Sequence, residues 1–62
     1  MITYEGEVFK IGDFVTLKVE YLPDVPSEGT YEVIGIDTTH DELILSFNGT
    51  ERLFHPFFVN KV

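Results

Sequence analysis

The groups in this chain that could do chemistry are its carboxylates, two histidines and a set of aromatic rings; cysteine is absent. Without a thiol, candidate nucleophiles reduce to Ser27, Ser46 and the threonines, with His40 and His55 as candidate bases. An activated nucleophile needs its base within hydrogen-bond reach and a third group to orient that base. A chain of 62 residues leaves little room for such an assembly inside a water-excluding pocket, so no enzyme is expected. Asp37, His40, Asp41 and Glu42 gather one nitrogen and several carboxylate oxygens into a single turn. A metal requires those atoms to converge in a defined geometry, and the spacing matches no metal motif. They read as an acidic hairpin connection, and neither a metal nor a cofactor is expected.

The aromatic set is more informative. Tyr4, Tyr21, Tyr31, Phe54, Phe57 and Phe58 are too many to be buried together in so small a domain. Phe57 and Phe58 are adjacent, so one of them is expected to point outward. Rings beside carboxylates attract cationic side chains by cation–π contact with charge support. Glu20, Asp24 and Glu28 supply the carboxylates around a long loop, and Tyr21, Tyr31, Phe54, Phe57 and Phe58 supply rings near it. These eight residues are the candidate binding residues. The competing reading is that the rings cover one end of the core, and an exposed remainder then marks a partner site or a self-association surface.

Composition narrows the class of partner. Eleven acids against four bases give a net charge of −7. Nucleic-acid affinity rests largely on neutralising phosphates, and Lys10, Lys18, Arg52 and Lys61 form no run. A basic protein partner fits this charge and a phosphate backbone does not, although the acids also serve solubility. Met1 to Lys10 contains no basic stretch followed by an apolar run, and no apolar run approaches the roughly 18 residues of a membrane span. The expectation is a cytoplasmic protein with no membrane segment. Asn48-Gly49-Thr50 matches a glycosylation acceptor in form, but without a signal peptide it reads as a turn.

The elements that position these groups are strands. Residues 1 to 62 form a single domain at this length, with a small core and a thin stability margin. Phe14 to Tyr21 alternates with period two, placing Val15, Leu17, Val19 and Tyr21 on one face of a half-buried strand. Gly12-Asp13 marks its start. Before it, Met1 to Phe9 reads either as a short edge strand or as an irregular arm packing Tyr4, Phe9 and Ile11 on the core. After it, Leu22 to Gly29 carries two prolines with Asp, Ser and Gly, which predicts a long loop. Tyr31 to Asp37 is a second strand, and Gly35 within it predicts a bulge or bend that lets one strand serve two parts of a curled sheet. Leu43 to Phe47 is a third, and Asn48-Gly49 is a strong hairpin signal before Glu51 to Phe54. A two-residue loop would pair Leu45 with Arg52, and a three-residue loop would pair Leu45 with Leu53. One residue of slip exchanges the faces of the whole strand, and matching apolar with apolar favours the longer loop. Pro56 holds His55 extended, a single 3₁₀ turn follows, and Asn60 to Val62 closes the chain. The predicted core is Val15, Leu17, Val19, Val33, Ile36, Leu45, Leu53 and Val59.

From about Lys10 onward this order resembles the SH3-like barrels. The resemblance rests on Gly12-Asp13-Phe14-Val15-Thr16-Leu17, a long loop, three consecutive strands, a proline-led turn and a short last strand. It implies an all-β fold, a small barrel of about five antiparallel strands with a short 3₁₀ turn near the C-terminus. That broad class includes proline-peptide binders, readers of methylated side chains of the Tudor type, and ribosomal or transcription modules. The Ala-Leu-Tyr-Asp-Tyr type signature of peptide-binding SH3 domains is absent here, as is a basic RNA-contacting loop. The expectation is therefore a small acidic protein-binding module, with Leu22–Gly29 and Phe54–Phe58 as contact regions. Size and acidity suit a bacterial or phage accessory or inhibitor protein acting on a basic or nucleic-acid-binding partner. The alternative is a nucleic-acid-associated module of transcription or translation.

Overall fold

Two short loops shape the chain. In the computed structural model, which describes residues 1–22 and 29–62, Glu5-Gly6 and Asn48-Gly49 each close a hairpin with two residues at positive φ. A two-residue loop of that kind twists in the same sense as the strands it joins. The first hairpin joins β1 (Ile2–Tyr4) to β2 (Glu7–Phe9), with Tyr4 opposite Glu7. The N-terminal segment is thus a two-stranded sheet of its own. Ile2 and Phe9 reach the core, whereas Ile11 is exposed.

The remaining strands are β3 (Phe14–Leu17), β4 (Tyr31–Asp37), β5 (Glu42–Phe47), β6 (Thr50–Phe54) and β7 (Val59–Lys61). They form one five-stranded antiparallel sheet in the order β6-β5-β4-β3-β7. Among the described residues β6 and β7 remain edges, so the hydrogen-bonded sheet is open and does not close into a barrel. β4 pairs with β3 through Tyr31 and Glu32 and with β5 from Val33 onward, and its register shifts between Val33 and Gly35. The bulge expected at Gly35 is therefore present. A Cβ on Gly35 would lie 3.1 Å from Ile44 Cδ1, so the bare backbone lets β5 approach.

The strand predicted over Phe14 to Tyr21 ends at Leu17. Lys18 leaves the extended region (φ −81°, ψ 83°), and Val19–Tyr21 form a 3₁₀ turn. The apolar alternation is real, but β7 supplies pairing partners only as far as Leu17, which faces Val59. Beyond that point Lys18 N–H donates to the Phe58 carbonyl at 2.8 Å and the chain turns away. A second 3₁₀ turn, Pro56–Phe58, stands where it was expected.

The hairpin register is the shorter of the two alternatives. Phe47 faces Thr50, Leu45 faces Arg52 and Leu43 faces Phe54. The longer loop would have buried Leu53. The observed one buries Phe54, a larger apolar side chain, and leaves Leu53 47% exposed. Arg52 then falls on the inner face, where its guanidinium lies 5.8 and 5.4 Å from the ring centroids of Phe47 and Phe54. A long side chain can cover apolar surface and keep its charge in water, which removes the objection to this register.

The core is Ile2, Phe9, Val15, Val33, Leu43, Leu45, Phe54 and Val59. Val15, Val33, Leu45 and Val59 were predicted. Leu17 and Ile36 pack against this core only partly buried, Val19 lies in the first 3₁₀ turn with no buried position, and Leu53 is outside.

Candidate functional site

The two 3₁₀ turns bring together segments far apart in sequence. Tyr21 N–H donates to the Lys18 carbonyl at 3.0 Å, and Leu22 N–H to the Val19 carbonyl at 3.1 Å, which holds the first turn. In the second, His55 is extended, its Nδ1 accepts from Phe57 N–H at 3.0 Å, and Phe58 N–H donates to the His55 carbonyl at 3.0 Å. Pro56 occupies the first turn position, where its missing N–H would have had no partner, and its ring is buried. With Pro56 turned inward, Phe57 is turned outward.

Phe57 is the hub of an exposed cluster. Its ring centroid lies 5.3 Å from that of Tyr21 and 5.2 Å, edge-on, from that of Phe58. Lys18 Nζ sits 4.8 Å from the same ring. Tyr21 is 54% and Phe57 37% exposed, so these rings touch each other without being covered. Glu20, on the first turn, is exposed beside them. Tyr21, the candidate just before the predicted Leu22–Gly29 region, thus meets the predicted Phe54–Phe58 region through Phe57 at one end of the molecule, while residues 23–28 lie outside the described residues.

The other candidates divide. Phe58 is half-buried and packs against the core. Tyr31 is half-buried against Phe47, at a centroid distance of 4.4 Å, and belongs to a different cluster. Phe54 is a correction: it is 4% exposed, so its ring is core and not a contact surface. Asp24 and Glu28 lie outside the described residues. Lys18 was missed, because in an unbroken strand it would point to solvent with no ring beneath it.

A shallow cleft of about 160 Å³ adjoins this end. Tyr4, Glu5, Glu7, Phe9, Lys18 and Pro56 are among its walls, so it lies where the N-terminal hairpin meets the large sheet. Tyr4 is held edge-on to His55 at 5.0 Å. Two carboxylates and a phenol beside a concavity suit a cationic side chain.

The acidic turn between β4 and β5 is a separate feature. Asp37 Oδ1 accepts from Thr39 N–H at 2.9 Å and His40 N–H at 3.2 Å, and Oδ2 lies 3.1 Å from His40 Nδ1. The side-chain bond from His40 holds the Asp37 carboxyl below its usual range, and the same contact raises His40. One ligand atom each from Asp37, His40 and Glu42 lie within 4.8 Å of one another, and Asp41 is not among them. These hydrogen bonds cap the turn, which is the role the geometry gives Asp37.

The Gly12-Asp13 turn clamps the two sheets. Asp13 Oδ2 accepts from Lys10 N–H at 3.0 Å and lies 3.4 Å from Lys61 Nζ. The Lys10 N–H bond is the main cause that keeps the Asp13 carboxyl below its ordinary value, with Lys61 adding to it. Lys61 also donates to the Val8 carbonyl at 2.7 Å, tying β7 to β2. The four bases are therefore dispersed: Lys61 to Asp13, Lys18 to Phe57, Arg52 to Phe47 and Phe54, and Lys10 exposed at the turn. No described helix is long and apolar enough to cross a membrane. No family model, curated protein or solved structure matches the chain.

Proposed function

We propose that this chain is a small protein-binding module that docks a basic segment of another protein across the end built by its two 3₁₀ turns. One observation carries the reading: Tyr21 and Phe57 come from distant segments, touch at 5.3 Å, and both stay exposed. Exposed rings held in place by backbone turns cost little entropy to use in binding. Lys18 over Phe57 is an intramolecular example of the contact a basic partner would make. Glu20 at the rim and Glu5 and Glu7 in the adjoining cleft supply the opposite charge. The five antiparallel strands of the large sheet, with a 3₁₀ turn before the last, are what the resemblance to SH3-like barrels implies, and they support reading the chain as such a module. In this reading it works in the cytoplasm as an accessory or inhibitor, bacterial or phage, of a basic or nucleic-acid-binding protein. The dispersed bases disfavour a nucleic-acid module.

The test is a titration with an arginine- and lysine-rich peptide, with single-stranded RNA and with duplex DNA, each at two salt concentrations. The peptide is expected to bind, and more weakly at the higher salt. Phe57→Ser should weaken it about tenfold, the loss expected for one partly desolvated cation–π contact. Changing Glu20, Asp24 and Glu28 to their amides should slow association with little effect on folding. RNA or DNA binding with no peptide binding would overturn the reading in favour of the nucleic-acid module.

A further inference from the structure

One of the two edges of the large sheet, β6, carries an apolar residue among its outward-facing backbone groups. In a two-residue hairpin the closing pair is hydrogen-bonded, and bonded and non-bonded pairs alternate from there. The closing pair here is Phe47 with Thr50, so Thr50, Arg52 and Phe54 direct their backbone groups toward β5. Glu51 and Leu53 direct theirs outward, and none of the described residues meets them. Leu53 also projects onto the outer face of the sheet, 47% exposed, opposite half-buried Ile44. Ile44 in turn faces Gly35, beside which Ile34 is 38% exposed at the bulge. An apolar stripe therefore crosses the outer face and ends at an unpaired strand edge.

We propose that β6 pairs antiparallel with β6 of a second copy of this chain, about a two-fold axis at Leu53. The sequence about Leu53, which can oppose itself with Leu53 on Leu53 and Glu51 on His55, selects the occupant, and local charge selects the register. Centring the axis on Arg52 would set two guanidinium groups opposite each other, and centring it on Glu51 would oppose two carboxylates; like charges directly opposite destabilise a sheet. Centring it on Leu53 opposes Leu53 with Leu53, Arg52 with Phe54 and Glu51 with His55, with no like charges opposed. This register also makes Leu53 a hydrogen-bonded pair across the axis, so its outward N–H and carbonyl are both used. The two outer stripes join into one, running Ile34, Ile44, Leu53, Leu53, Ile44, Ile34. A closed two-fold pair leaves neither β6 edge open to further strands.

Sedimentation equilibrium on the whole chain from about 10 μM to about 1 mM is the experiment, with amide exchange alongside. The mass should rise with concentration from 7.1 kDa toward twice that value. More salt should favour the pair, because it screens two chains that each carry −7. The amides of Glu51 and Leu53 should exchange more slowly as the pair forms, while Arg52, already bonded to β5, is unmoved. Leu53→Lys should keep the chain at the mass of one copy, and Leu53→Thr, a strand-compatible change, should weaken the pair at least severalfold. Phe57→Ser should leave the pair intact, which separates this surface from the aromatic end. A single-chain mass throughout, or a pair that survives Leu53→Lys at full strength, overturns the proposal. So does protection of the same amides by a Lys-Val alternating peptide with no self-association, which would make a foreign strand the occupant.

Discussion

Phe54 and Phe57 are separated by only two residues, yet one is sealed in the core and the other stands at the surface. Phe54 is the last residue of β6, opposite Leu43 and against Phe47, with its backbone committed to a ladder. Phe57 follows Pro56, which turns its own ring inward and sends the next side chain out. The same side chain thus holds the fold together at one position and is held out by the fold at the other. Stability and binding should therefore separate cleanly between the two ends of this short segment.

The largest expected effect tests that separation directly. Phe54→Ala should cost about 3–5 kcal/mol, from lost transfer energy and an unfilled cavity, most of what a domain this size has. Phe57→Ala should cost no more than about 1 kcal/mol, since its exposed ring loses only surface contacts with Tyr21, Phe58 and Lys18. Denaturant midpoints of the two variants decide it. Equal losses would mean that the boundary between core and surface runs elsewhere.

The sequence made one side of this comparison easier to read than the other. The strands over Tyr31–Asp37 and Leu43–Phe47, the bulge at Gly35 and the proline-led turn followed from period-two patterning and from backbone chemistry that only certain residues supply. Tyr21 and Phe57 were named as candidates, but their meeting was not legible, because it depends on the chain leaving β3 at Lys18. Alternation continues to Tyr21 and gives no sign that pairing partners end at Leu17. Phe54 was misplaced for a related reason. Weighing Leu45 against Arg52 or Leu53 one pair at a time omits the next pair, in which Leu43 and Phe54 outweigh both. The first hairpin was missed because Glu5 at φ 49° is a costly choice for a position that Asn or Asp usually fills.

A smaller effect tests the register on which the comparison rests. Gly49 has φ 84°, and a Cβ there meets no atom within 4 Å, so Gly49→Ala changes only backbone strain. The expected cost is about 1 kcal/mol, read from the shift in denaturant midpoint. Leu53→Ala should cost less than that, because half-exposed Leu53 is outside the core. If Leu53→Ala costs as much as a buried leucine, about 2–5 kcal/mol, the three-residue loop is the true one and Phe54 is the exposed ring.

The smallest effect lies far from both phenylalanines and serves as their control. His40 is raised above its ordinary value by Asp37, so it binds protons more tightly folded than unfolded. Its contribution to stability is full below the unfolded value, about 6.5, and is lost as pH rises through the higher folded one. Asp37 works in the opposite sense. Its lowered folded value gives stability that is present above the ordinary carboxylate range and lost as pH falls through the folded value. The turn is therefore best supported between the two windows. His40→Gln removes the upper limb, so the difference in stability between parent and variant should be larger near about pH 5.5 than near about pH 8. Comparing the two proteins cancels every other titrating group they share. The difference should be small, because His40 is 69% exposed and water screens the pair. Peptide binding at the Tyr21–Phe57 end should not change at all. A stability difference that stays flat from about pH 5 to about pH 8 would mean that His40 and Asp37 do not hold each other in solution.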